Sequence, residues 1–318
     1  MPNAAPDAAD RFLNDVARLI DNASTARFGI AVSGGPDSMA LLLLAAGAFP
    51  GRVAAATVDH GLRPDSADEA AMVARWCATH GIAHATLHPP VPITGNLQSA
   101  ARTARYALLQ QWRDAQGLDW LMTAHHADDQ LETLLMRLNR GSGVGGLAGV
   151  RARSGHVLRP LLGWRRAELR AVAEAADMPF VLDPSNADPR FVRAALRARL
   201  AAADWLDPLA AARSAAALAE AEAALAWMAA DIAGRAIAQA GEEWTLAVPD
   251  MAALPRELRR RVLLHLLAAA DPVAFPPRGD ALDHALAQAE AGGQASLGDW
   301  LLAGGHRWRL RRAPPRRA

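Results

Sequence analysis

The stretch GIAVSGGPDSMALLLLAAG, residues 29–47, constrains the chain more than any other. An apolar run that reads as a buried strand passes through Ser-Gly-Gly-Pro-Asp-Ser into an apolar run that reads as a helix starting at Asp37 or Ser38. Glycines let backbone N–H groups come close to a ligand, and the helix start that follows supplies unpaired amides and the positive end of a dipole. A loop of this build holds phosphate. The plainer alternative is a tight turn with a helix cap. Composition narrows the chemistry. The chain has no lysine, and all 34 basic residues are arginine. A Walker A loop, which ends in Gly-Lys-Ser/Thr, is therefore excluded, as is a Schiff-base lysine. Asp37 is out of place in a pure anion site. It points to a bridging Mg2+ or to a cationic second substrate.

The first 140 residues alternate strand-like and helix-like pieces. Strands are expected at 27–32, 52–59, 83–88 and 118–126, with helices after the phosphate loop and at 66–81, 96–117 and 127–141. This alternation predicts βαβ units and an α/β fold: an open parallel sheet, Rossmann-like, with helices on both faces. Ligands of such sheets bind outside the carboxyl ends of the strands. Three polar clusters fall there: Ser33–Ser38 after the first strand, Val58–Gly61 after the second, and AHHADDQ (124–130) after the fourth. They are expected to meet in one crevice.

At 318 residues, two domains are expected. We place an ATP-dependent domain at 1–200, including an extension at 141–200, and a smaller, mainly helical domain at 201–318. In the second, helices are expected over about 200–240, 255–270 and 279–291, with a strand-like end at 299–311. Apolar content of 52% is ample for a packed interior. The run from Met39 to Phe49 is too short to span a membrane, and the acidic N-terminus does not have the order of a secretory signal. A single cysteine, Cys77, permits no internal disulfide. A cytoplasmic protein is expected. Net charge is only +1, but it is unevenly spread. Residues 141–200 carry 10 arginines against 5 acids, and the last twelve residues carry six arginines and no acid. An anionic partner meeting the middle and end of the chain explains this asymmetry; a solvated tail and ordinary surface arginines are the plainer account.

HHADDQLET places His125, Asp128, Asp129 and Glu132 within eight residues. On a helix, Glu132 shares a face with Asp128 and Asp129, and carboxylates so arranged bind a metal or an ammonium group. A helix start favours acids in any case, which accounts for Asp128 and Asp129 but not for the histidines before them. Asp59 and His60 are either nucleotide contacts or turn residues. Arg102 and Arg105 on the 96–117 helix are open to a solvated-face reading, and Cys77 reads as a packed helix residue.

AVSGGPDSMALL resembles the PP-loop of the N-type ATP pyrophosphatases. Together with it and in this order, VDHGLRPDSADEA, GNLQSAARTARYALL, TAHHADDQLETLLMRLNRGSGVGGLAG, RPLLGWRRAEL and DPSNADPRFVRAALR resemble the tRNA(Ile)-lysidine synthase family. The resemblance spans roughly residues 27–200, and ASLGDWLLAGGHRWRLRRA is similar to the end of that family's small C-terminal domain. It implies a PP-loop ATPase fold and a cytoplasmic ligase that consumes ATP with Mg2+ and yields AMP and pyrophosphate. The implied partners are free L-lysine and the isoleucine tRNA with a CAU anticodon, whose wobble cytidine becomes lysidine; a homodimer is compatible with it.

Residue by residue, the resemblance implies that Ser33, Gly34, Gly35, Pro36, Asp37 and Ser38 hold ATP together with Asp59. Asp37 also lies near Mg2+ or the lysine. Asp37, Arg105, Asp129 and Glu132 would hold free lysine, three carboxylates for ammonium groups and one guanidinium for a carboxylate. His125 would lie by the phosphates, with Asp37 and Asp129 beside it as the catalytic groups. Arg197 would meet pyrophosphate or tRNA. Arg193-Ala194 stands where the family often has Arg-Asn, and Gln98 where Glu is frequent. Rivals fit less well. A thiolase using paired cysteines or an iron–sulfur cluster needs more than Cys77. An amidotransferase-type ligase needs an ammonia source. A metal-dependent phosphoesterase or a plain nucleotide-binding module leaves the aspartate-bearing loop unexplained.

Overall fold

A computed structural model describes residues 6–61, 66–90, 97–182, 192–247, 251, 253–273, 277 and 279–313. The chain divides into two compact units, residues 1–219 and 220–318.

The first unit begins with α1 (Pro6–Ala17). There follow β1 (Phe28–Ala31), α2 (Pro36–Ala48), β2 (Val53–Val58), α3 (Ser66–Thr79), β3 (Ala83–Leu87), α4 (Leu97–Ala115), β4 (Trp120–Met122) and α5 (Ala127–Leu138). A short α6 (Val144–Leu147), the ribbon β5 (Arg153–Ser154) and β6 (Val157–Leu158), α7 (Arg166–Ala175) and α8 (Val192–Leu200) follow, and the long α9 (Pro208–Ala236) begins in this unit and ends in the second. The sheet order is β3-β2-β1-β4-β6-β5, parallel throughout except for the β5–β6 ribbon. The chain runs outward from β1 to β3 and then returns to place β4 on the other side of β1. The switch point thus lies between β1 and β4, where such sheets bind ligands.

Side chains alternate across the sheet as period two requires. Phe28, Ile30, Ala55, Trp120 and Met122 join the core under α1, α2, α3 and α7. Ala54, Ala56 and Leu121 join Leu109 and Trp112 of α4 on the other face. Gly29 faces that helix; a Cβ there would lie 2.6 Å from the Trp112 ring, so α4 packs this close only because β1 has a hydrogen at that position. The expected parallel sheet, covered on both faces, is therefore present. α1 was not expected. It forms because Phe12 and Val16, four apart, bury one stripe against the core, and the Asp15 carboxylate accepts the Trp164 indole N–H at 2.8 Å.

The expected helix over about 200–240 breaks at 201–207. Asp207 restarts it as a cap, accepting from the Leu209 and Ala210 N–H groups at 2.8 and 3.1 Å, with Pro208 in the first turn. The DPSN loop lies outside the described residues, as do Asn96 and the side chain of Gln98.

The second unit holds more strand than its alanine-rich sequence suggests. β7 (Ile237–Ala240), β8 (Glu243–Ala247), β9 (Gln294–Leu297), β10 (Trp300–Ala303) and β11 (Arg307–Arg312) form an antiparallel sheet in the order β7-β8-β11-β10-β9. The helices α10 (Arg256–Ala270) and α11 (Gly279–Glu290) supply the rest of its core. The first half of the arginine-rich tail is thus the central strand of a sheet. Trp308 and Leu310 point into the core while Arg307, Arg309 and Arg311 are exposed, so the arginines occupy the solvent phase of a period-two pattern. Residues 314–318 lie outside the described residues. Among the described residues no helix is long and apolar enough to cross a membrane.

Candidate active site

The phosphate loop is braced from within. Gly34 has φ +82°, a left-handed conformation that glycine adopts without strain, and its carbonyl accepts the Val181 N–H at 2.9 Å. The Ser38 hydroxyl donates to the Gly35 carbonyl at 2.9 Å and accepts the Ser33 N–H at 3.1 Å. Its one proton is thereby used, so in the 3.2 Å contact between the two hydroxyls Ser33 is the donor. Pro36 opens α2 where no N–H is needed. The amides of Gly34, Gly35, Asp37 and Ser38 have no protein acceptor among the described residues, which leaves them aimed at an anion.

β4 ends four residues sooner than the sequence suggests, because His126 is already the N-cap of α5. Its Nδ1 accepts the Asp129 N–H at 3.4 Å while the Asp129 carboxylate accepts the His126 N–H at 3.2 Å. This reciprocal cap aims Nε2 outward, 3.4 Å from Asp37 Oδ2 and 3.5 Å from Asp129 Oδ2. The histidine therefore joins the phosphate loop to α5. Burial opposes its charge, but the hydrogen bond with Asp37 and the Asp129 charge outweigh it and raise its pKa above the ordinary 6.5. Asp129 is held below its usual range despite burial, by the charge of His126 and the hydrogen bond from its N–H. Asp37 Oδ1 is buried with no hydrogen-bond partner.

The chain of charges continues to Arg197. Its guanidinium grips both oxygens of Glu132, with Nη2 at 3.2 Å from Oε2, and reaches Asp129 Oδ1 at 3.5 Å. Arg166 Nη2 approaches Glu132 from another side at 3.6 Å. Asp37, Asp129, Glu132 and Arg197 are thus brought into one cluster, which the sequence had scattered over 160 residues. Asp128 touches its edge, 3.6 Å from His126 Nδ1, and accepts the Arg166 N–H at the start of α7, at 2.8 Å.

Arg105 and His125 lie on the same strand-end side. His125 is pushed down to about 4, first by burial and then by the positive charges of Arg159, Arg102 and Arg105, so it is neutral at physiological pH. Its Nδ1 pairs with the Thr123 hydroxyl at 2.9 Å. Burial lowers Arg105 as well, and it has no carboxylate partner among the described residues. Asp59 takes turn geometry: Oδ1 accepts the Gly61 N–H at 2.8 Å and the Ser66 hydroxyl at 2.7 Å, and these bonds lower its pKa. Among the described residues no group of three His, Cys, Asp or Glu side chains is arranged to hold a metal ion. The unpartnered Asp37 Oδ1 beside the phosphate loop nonetheless fits a cation that takes most of its ligands from phosphates and water.

The comparisons agree with this geometry. A family model described as a PP-loop domain matches residues 8–203. A tRNA(Ile)-lysidine synthase of Novosphingobium aromaticivorans is 46% identical, over 98% of this chain and 95% of its own length. One of Zymomonas mobilis is 40% identical, over 96% and 95%. The chain belongs to the tRNA(Ile)-lysidine synthase family. Among solved structures, the U34-tRNA thiolase NcsA of Methanococcus maripaludis with its [4Fe-4S] cluster aligns with a TM-score of 0.55 at 17% identity, covering 67% of this chain and 79% of that one. That likeness concerns the fold. This lysidine synthase family member has one cysteine, Cys77, a buried residue of α3 pushed up to about 12 by burial, which is no cluster ligand.

Two residues of this site carried no role in the sequence. His126 bridges the loop and α5, yet in sequence it is one of two adjacent histidines and only the cap geometry separates them. Arg159, at the end of β6, is 7% exposed with its Nε unpartnered and donates to the Arg151 carbonyl at 2.7 Å. It sits in the RPLLGWRRAEL motif, but its burial is visible only in the fold.

Proposed function

We propose that this chain ligates free L-lysine to C2 of the wobble cytidine of the isoleucine tRNA with a CAU anticodon, consuming ATP. The observation that carries the reading is the His126 bridge, which couples a lysine-free phosphate loop to a carboxylate pair made for an ammonium group. In the first step the cytosine O2 attacks the α-phosphorus of ATP, the bond to the β-phosphate oxygen breaks, and pyrophosphate leaves. In the second the ε-amine of lysine attacks C2, the C2–O2 bond breaks, AMP leaves with that oxygen, and the amine gives up a proton.

The residues divide this work. The loop amides of Gly34, Gly35, Asp37 and Ser38 bind phosphate oxygens, where the helix dipole adds to their pull. Asp59 fixes the turn after β2 that borders the nucleotide, with its Oδ2 3.9 Å from His88 Nδ1. Mg2+ would be held by Asp37 and the phosphates, and would offset charge building on the departing pyrophosphate. Neutral His125 offers a hydrogen bond without adding charge beside the arginines. Arg105 takes the α-carboxylate of the lysine, and Asp37, Asp129 and Glu132 take its ammonium groups. Asp129, held ionised by His126, is the acceptor for the amine proton. Arg197 already fills the Asp129–Glu132 pair, so the ammonium and Arg197 compete for it. Lysine entry releases the guanidinium toward pyrophosphate. The substrate assigns the reaction to the cytoplasm.

Labelled lysine incorporation into unmodified CAU isoleucine tRNA, followed beside pyrophosphate release, tests the reading. Both are expected in the wild type and both lost by about 10³-fold or more in Asp37→Ala, with the thermal midpoint kept. ATP turnover without lysine incorporation would overturn the choice of nucleophile, and no ATP turnover would overturn the enzyme.

A further inference from the structure

Asp129, Thr133 and Arg137 follow one another at four-residue spacing and share a face of α5. Arg193 and Arg197, also four apart, meet that face from α8. Arg197 takes the carboxylates, and Arg193 Nη2 donates to the Thr133 hydroxyl at 3.2 Å. The face therefore changes sign along its length. At the N-terminal end every carboxylate has a cation. Toward the C-terminal end Arg137, Arg151 and Arg193 stand together with no carboxylate partner among the described residues.

Backbone carbonyls hold two of these arginines in place. Arg137 Nη1 donates to the Gly146 carbonyl and, at 3.2 Å, to that of Gly149. Arg151 donates to the carbonyls of Ala148 at 3.0 Å and Gly145 at 3.4 Å. The loop itself is clamped by buried Gln130, whose amide exchanges hydrogen bonds with both backbone groups of Val150 at 2.7 and 2.8 Å. Carbonyl dipoles orient a guanidinium without cancelling its charge. Burial and the charges of Arg151 and Arg193 press the pKa of Arg137 downward, so the cluster repels itself. A protein gains no stability from three unmatched cations. An anion with several oxygens, recognised by forked donors, is what the arrangement fits.

We infer that Arg137, Arg151 and Arg193 form a phosphodiester-binding site for the RNA strand, next to the nucleotide being modified. The inference rests on tRNA being the substrate. Eight residues at 1.5 Å each separate Asp129 from Arg137 by about 12 Å along α5. That is the distance of a neighbouring phosphate, not of the base under attack. The site positions the strand by its backbone and reads no sequence.

The test measures tRNA affinity across a salt series for the wild type, Arg193→Gln, Arg151→Gln/Arg193→Gln and Arg193→Lys. Arg193 is exposed and holds no loop carbonyl, so its variants spare the fold; thermal midpoint and ATP affinity serve as controls. Each lost arginine is expected to weaken binding about 3- to 10-fold at 0.1 M salt and to lower the slope of log K against log salt by about 1. Arg193→Lys is expected to keep the slope. An unchanged slope in a folded double variant would overturn the site while leaving lysine ligation standing. Wild-type protein that binds tRNA through this cluster without incorporating lysine would instead overturn the reaction.

Discussion

Two sets of arginines, one in each unit, live in opposite circumstances. In residues 220–318, Arg261 is tied bidentately to Glu222 at 2.8 and 2.7 Å and to Glu257 at 2.8 Å. Arg260 is tied to Asp283 at 2.6 Å and to Glu257 at 3.0 Å, and Arg259 to Glu290 at 2.6 Å. The Glu222 hydrogen bonds raise Arg261 above its already high pKa. In residues 1–219, Arg105, Arg137, Arg151, Arg159 and Arg193 have no carboxylate partner among the described residues. A side chain that is matched to acids on all sides is finished when the fold is finished. One that is oriented and unmatched is completed only by something that binds later.

The largest effects should separate along this line. Arg261→Ala takes the bidentate guanidinium from Glu222 and leaves Glu257 to Arg260 alone; it is expected to cost about 3 kcal/mol of stability, read as a lower thermal midpoint with lysine KM unchanged. Arg105→Ala removes a half-buried cation that pairs with no acid among the described residues, so the thermal midpoint should hold or rise. Lysine KM should increase by about 10- to 100-fold, as the loss of a charge-assisted pair implies, with ATP KM unchanged. The comparison breaks if Arg105→Ala unfolds the protein or if Arg261→Ala acts on KM.

The unmatched arginines leave a second, somewhat smaller signature at His125. Burial and three arginines depress it from 6.5 to about 4. Below pH 6.5 the unfolded chain binds a proton there that the folded chain refuses until about pH 4, so stability falls as pH falls across that window. The full depression is worth about 3 kcal/mol. Chemical denaturation between pH 7 and 4 should show this acid limb in the wild type and a shallower one in His125→Asn. An identical limb in both would place the proton uptake elsewhere.

Much of this was legible in the sequence, and the illegible parts share a cause. Strand and helix alternation, polar clusters at strand ends and the aspartate in the phosphate loop are local patterns, and each was found where expected. The C-terminal sheet was read only in part: the strand-like end at 299–311 is β10 and β11, while β7, β8 and β9 went unread, being four or five residues long, β7 carrying alanine and glutamine where β-branched residues usually mark a strand. Among site residues, Asp37, Asp129 and Glu132 announced themselves by charge in odd places. His126 did not, since its role depends on α5 beginning one residue after it. Arg197 showed its basicity in sequence, but its attachment to Glu132 crosses 65 residues. Whether an arginine is matched or unmatched is a property of neighbours distant in the chain, and composition counts both alike.

That point sets the smallest prediction. Arg170 belongs to the same arginine-rich extension as Arg193, so by composition the two are equivalent. It differs in being paired: its Nε donates to Glu174, one turn later on α7, at 2.7 Å, and both side chains are about half exposed. An exposed pair at this spacing contributes about 0.3–0.5 kcal/mol, and the neighbouring carboxylate cancels its field for a distant phosphate. Arg170→Gln should therefore move the thermal midpoint by no more than about a degree or two and leave the salt slope of tRNA binding where it was. A slope lowered as much as in Arg193→Gln would mean that the extension acts through its total charge, and that pairing is the wrong property to read.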